Sequence, residues 1–144
     1  MGNKLTDYNG QDNVFHVSHL NSDFVADISK SLELYNDEKI IMVHIFNTYK
    51  PEFYKDILIG ITNYRLFKIE RDVKSIFRCD MDSIEFIEHG WWSSNIQVQI
   101  KRKNRGYWDP EYDAYTWCIY HPKACLLFCN YLTENKVTLD PRKK

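Results

Sequence analysis

Long apolar runs are missing from this chain. The longest, Ile40–Val43 and Ala124–Cys129, fall far short of the ~20 residues a membrane-spanning helix needs. Glycine is scarce. Gly2, Gly10, Gly60, Gly90 and Gly106 are too scattered to form a loop that cradles phosphate, and no Gly-x-Ser-x-Gly elbow exists. No sign of charge dominates: Lys+Arg 19 against Asp+Glu 20 leaves a formal net charge of -1. A global field that would demand nucleic acid or an anionic surface is thereby excluded, and any such binding must come from a local patch. The first twenty residues hold no secretory apolar segment. The expected setting is the cytoplasm, or the cytosolic face of a membrane, with the four cysteines reduced.

What is present suffices for a packed core. Hydrophobic residues make up 44% of the chain and aromatics 15%, which argues against disorder except at the ends. Residues 1–20 read as a flexible arm with a short ordered piece at Val14–Val17. From Asn21 the period becomes helical: Phe24, Ile28, Leu32 and Tyr35 share one stripe, predicting a helix over 22–36 capped by Asn21 or Ser22. From Lys39 to Tyr120 the pattern is of strands. They are expected at Lys39–Phe46, Ile57–Ile61, Leu66–Ile69, Val73–Cys79, Ile84–Glu88, Trp92–Arg102 and Tyr112–Tyr120. In Trp92–Arg102, apolar Trp92, Ile96, Val98 and Ile100 alternate with Ser93, Asn95, Gln97, Gln99 and Lys101. That is a strand with one solvated face. Pro122 then opens a second helix, with Ala124, Leu127, Phe128, Tyr131 and Leu132 on one stripe. Residues 137–144 form a basic tail.

The centre of this pattern is Asp56–Arg71, where two apolar runs flank the polar stretch Thr62–Arg65 in a predicted hairpin. Leu66 and Phe67 fall on opposite faces of its second strand, so one of them is expected in the core. Gly60–Leu66 resembles the hydrophobic-Thr-Asn-x-Arg-Leu segment of GRAM domains, in particular the PH-GRAM domains of myotubularin-family proteins, and the resemblance implies that Leu66 is the core residue. Met81–Ile87 is similar to the turn and strand that follow in such domains. The resemblance spans residues 37–135 in its order of elements. It implies a mainly β, pleckstrin-homology-like fold: a seven-stranded barrel of two orthogonal antiparallel sheets capped by a C-terminal helix, here with an extra N-terminal helix. Residues 21–136 would form that domain.

The resemblance implies a binding module and not an enzyme. A phosphatase centre of the myotubularin kind needs Arg six residues after Cys. Here those positions hold Glu85, Ala124, Tyr131 and Asn135. Cys118, His121, Cys125 and Cys129 are ligand types that zinc accepts. Small side chains are equally wanted on the packing face of a helix, so no metal and no cofactor is expected. Lys101, Arg102, Lys103 and Arg105 crowd one predicted connection and form a candidate site for phosphate or lipid headgroups, diluted by Asp109, Glu111 and Asp113. In lipid-binding PH domains the basic cluster usually sits between the first two strands. The matching loop here offers only Lys50 and Lys55, offset by Glu52. Trp91 and Trp108 are candidate anchors for a membrane or protein. Met1–Thr6 fits the myristoylation pattern, with Gly2 as acceptor. The expected partners are anionic lipid headgroups or a protein, the latter bound on the barrel face or an exposed strand edge. Nucleic acid held by residues 101–105 is the least favoured reading.

Overall fold

The structure, a computed structural model, describes residues 14–47, 56–70, 72–89, 93–101, 112–119 and 122–143. It forms two compact units: Met1–Ile76 with Pro141–Lys144, and Phe77–Asp140. The division falls inside the stretch 21–136 read from sequence as one domain.

In the first unit, five strands pair in chain order: β1 (Val14–His16), β2 (Ile40–Asn47), β3 (Asp56–Thr62), β4 (Arg65–Ile69) and β5 (Val73–Phe77). The ordered piece expected at Val14–Val17 is β1, antiparallel to β2, and Val14 is fully buried. Helix α1 (Ser22–Leu32) starts where Asn21 accepts a hydrogen bond from the Asp23 N–H at 2.8 Å. It stops four residues earlier than its periodicity predicts. Glu33 adopts a left-handed conformation, φ 54°, and its N–H bonds to the Lys30 carbonyl, which ends the helix. Ile28 and Leu32 of α1 join Ile40, Val43, Leu58 and Phe67 in one core.

The register explains Gly60. It lies opposite Phe67, and a Cβ built there would sit 2.3 Å from the Phe67 ring. The ring lies over Gly60, in the space that only a hydrogen side chain leaves open. Leu66 and Phe67 are both fully buried. The expectation that just one of them enters the core fails because the sheet is covered on both faces at β4: Ile59, Ile61 and His44, on the face opposite Phe67, are buried as well.

The second unit holds β6 (Met81–His89), β7 (Ser93–Lys101) and β8 (Tyr112–Ile119) in one antiparallel sheet, with helix α2 (Pro122–Glu134) packed against all three. Between the strands expected at Val73–Cys79 and Ile84–Glu88, the chain forms a 3₁₀ turn at Arg78–Asp80 followed by a bulge between Met81 and Ser83. Arg78 donates to the Asn135 carbonyl and stacks on Tyr131, 5.3 Å from the ring centroid, tying that turn to the end of α2. Burial draws the Arg78 guanidinium below its ordinary value. All seven strands expected from sequence are present, with β1 in addition. They lie in a five-stranded and a three-stranded sheet, neither of which closes on itself.

Candidate functional site

The Thr62–Arg65 connection holds a dense hydrogen-bond network, and its chemistry starts with residue types. Thr62 ends β3 and turns its hydroxyl back on the loop, accepting from the N–H of Tyr64 at 3.0 Å and of Arg65 at 2.9 Å. A short oxygen-bearing side chain therefore supplies the acceptor that two loop N–H groups would lack. Asn63 reaches the chain entering β2. Its Oδ1 accepts from the Lys39 N–H at 2.7 Å, its Nδ2 donates to the Asp37 carbonyl at 3.0 Å, and its backbone N–H donates to the Lys39 carbonyl at 3.1 Å.

Arg65 and Glu38 form the buried centre. Glu38 Oε1 accepts from Arg65 Nη2 and Oε2 accepts from Arg65 Nε, both at 2.7 Å, the two-pronged geometry that suits guanidinium. Thr62 donates to Oε2 at 2.6 Å and the Tyr35 N–H to Oε1 at 3.2 Å. Tyr35, expected on the helical stripe, lies beyond α1, with its ring 5.7 Å from the Arg65 guanidinium and edge-on to Tyr64. Burial pushes the Glu38 carboxyl up. The hydrogen bonds from Arg65, Thr62 and the Tyr35 backbone together outweigh it and hold the carboxyl below its usual value. Tyr64 donates its hydroxyl to Asp37, which pushes its phenol up.

The buried polar side chains Glu38, Thr62 and Arg65 bond one another, so the network is a latch that fastens residues 35–39 to the β3–β4 connection. Sequence reasoning found Thr62, Asn63 and Arg65 but missed Tyr35, Asp37 and Glu38. The available signal was an Asp-Glu pair just before the first long strand and an arginine embedded in an apolar run.

Of the sequence-derived binding residues, Lys101 alone lies among the described residues. Lys101 is the last residue of β7, paired with Tyr112, so Arg102, Lys103 and Arg105 belong to the β7–β8 connection. Those three, with Lys50, Lys55, Gly2, Trp91 and Trp108, lie outside the described residues, as does His121. Cys125 and Cys129 are buried one turn apart on α2, and the hydrogen bond they share, with burial adding to it, raises the Cys125 thiol. Cys118 pairs in register with Asn95, a member of the polar set of β7. Among the described residues no cluster of three ligand types gathers, and no helix is long and apolar enough to cross a membrane.

No family model and no curated protein matches the sequence. Among solved structures, the crystal structure of a DUF1696 family protein with a pleckstrin-homology domain, from Shewanella loihica PV-4, is similar. The match covers 88% of this chain and 98% of that one, with a TM-score of 0.51 and 14% sequence identity. At that identity the likeness is one of fold, and the fold is pleckstrin-homology-like.

Proposed function

We propose that the chain is a non-enzymatic PH-like binding module of GRAM type, acting at a membrane surface or as an adaptor. The observation that carries this reading is the likeness of fold to a protein with a pleckstrin-homology domain. The GRAM-like segment adds support, because Thr62, Asn63 and Arg65 each have a defined task in the latch. Four basic residues at 101–105 supply the headgroup-contacting charge, with Trp91 and Trp108 as anchors and Gly2 as the acylation point.

Co-sedimentation of the full chain with vesicles of phosphatidylcholine alone and with added phosphatidylserine tests the membrane arm. Retention on the anionic vesicles at low salt, lost when Lys101, Arg102 and Lys103 are reversed in charge, is the expected outcome. Indifference to both vesicle types removes the membrane arm. A second reading, strand addition of a peptide, is favoured by one observation: β5 is an outermost strand of its sheet, and Val73–Ser75 are exposed. Slowed amide exchange confined to Val73–Ser75 on adding a partner would distinguish it.

A further inference from the structure

We propose that the outer edge of β5 pairs with β5 of a second copy of this chain, antiparallel, about a two-fold axis at Val73. The proposal rests on the strand-addition reading of this edge and names the occupant. β5 is an outermost strand of its sheet, and Val73–Ser75 are exposed, Val73 to 42%. Such an edge carries N–H and C=O groups with no ladder partner. The hairpin fixes which residues supply them. The Asp72 carbonyl turns inward and accepts the Glu70 N–H at 3.2 Å. Backbone direction alternates along a strand, so Val73 and Ser75 aim their N–H and C=O away from β4.

Charge selects the partner. Lys74 is exposed, and exposed Asp72 stands two residues before it, on the same face by the period of two. Among the described residues neither forms an ion pair, while the charges nearby are matched, Arg65 with Glu38 and Lys68 with Glu70 at 3.8 Å. A lysine on an outer strand ordinarily guards it against pairing. Here Asp72 makes that guard half of a match.

A two-fold axis across an antiparallel pair sets one residue opposite its own copy. Asp72 or Lys74 on the axis would oppose like charges, and Ser75 there would set Lys74 against Ile76. Val73 on the axis sets Asp72 of each copy opposite Lys74 of the other, so two ion pairs flank one contact between valines. The hydrogen bonds agree with this register. Outward-facing Val73 becomes the pair that exchanges both N–H···O bonds. Asp72 and Lys74 fall on the non-hydrogen-bonded pairs, where facing side chains stand closest. An unrelated peptide satisfies only the backbone of this edge, whereas a second copy also satisfies its charges.

Sedimentation velocity of the full chain over a roughly hundredfold range of concentration tests this, because so short a ladder gives a weak, concentration-dependent dimer. The Val73 and Ser75 amides should exchange more slowly as dimer forms. Asp72→Lys and Lys74→Glu should each weaken self-association about tenfold, since each sets like charges opposite one another twice. Mixed, the two variants should pair again, because each row then complements the other. A mixture that stays as monomeric as its components overturns the proposal. So does a parent chain that stays monomeric, or one that dimerises with unchanged exchange at Val73 and Ser75. A synthetic peptide of residues 70–77 separates the two readings. If the chain stays monomeric yet the peptide slows exchange at Val73–Ser75, strand addition stands and the second copy fails; if neither occurs, both fail.

Discussion

Glu38 accepts four hydrogen bonds, from the Tyr35 N–H, the Thr62 hydroxyl and two nitrogens of Arg65, while only 5% exposed. A buried ion pair is not a large net source of stability, since both ions leave water to form it. Breaking one from a single side is costly, because the other charge stays buried. Glu38→Ala should thus lower stability by about 3–5 kcal/mol, measured as a shift in urea midpoint. Replacing Glu38 and Arg65 together with apolar residues should cost clearly less than Glu38→Ala alone. The same pair sets a pH dependence. The carboxyl is held below its ordinary value of 4.5, so near that pH the unfolded chain binds more protons than the folded one. The contribution is complete above pH 4.5 and is lost as pH falls through the lowered value. A urea midpoint followed from pH 7 to pH 3 should drop more steeply in the parent chain than in Glu38→Gln. Parallel curves would show that Glu38 contributes nothing to acid lability.

At the scale of elements, β3 and β4 meet through a contact between a ring and a missing side chain. Gly60→Ala places a methyl 2.3 Å and 2.7 Å from two Phe67 ring carbons and 2.9 Å from the Met42 carbonyl. The backbone oxygen cannot retreat freely, so overpacking should cost about 1–3 kcal/mol. Phe67→Leu should recover part of that loss in the double variant, and strictly additive midpoints would disprove the contact. On α2, Cys125 and Cys129 occupy the buried stripe with Ala124, Phe128 and Leu132. A chelator should leave the unfolding midpoint unmoved, whereas stoichiometric zinc with a lowered midpoint on chelation would overturn the packing role. Existence and order of elements were legible because period two and period 3.6 leave different sequence patterns. Ends were less so. Glu33 stops α1 through its backbone conformation, which apolar spacing does not encode, and three-residue β1 is too short to show a period. Leu66 and Phe67 misled because alternation reports faces without reporting whether both are covered.

For the whole molecule, the latch was half legible, since Thr62 and Arg65 lie in one hairpin while Glu38 reaches them from 24 and 27 residues away. Long-range partners leave no periodic trace. The proposed membrane recruitment, by contrast, rests on features read directly from the chain: Gly2 in a myristoylation pattern, and Lys101 at the end of β7 followed by Arg102, Lys103 and Arg105 in the β7–β8 connection. With net charge -1, no bulk attraction supplements them. A single myristoyl chain gives marginal, reversible binding, on the order of 10⁴ M⁻¹. Each cation near an anionic surface adds about 1 kcal/mol, reduced here by Asp109, Glu111 and Asp113. Neither signal suffices, and their free energies add on one molecule. Gly2→Ala alone, or charge reversal of Lys101, Arg102 and Lys103 alone, should therefore release most of the acylated protein from anionic vesicles. Raised salt should reproduce the second loss while sparing the acyl contribution, because ions screen charge and leave apolar transfer intact. The comparison is co-sedimentation of protein made with and without N-myristoyltransferase, each at low and high salt. If mass spectrometry finds no acyl group on Gly2 and the unmodified chain ignores anionic vesicles at low salt, the adaptor reading takes the place of the membrane one.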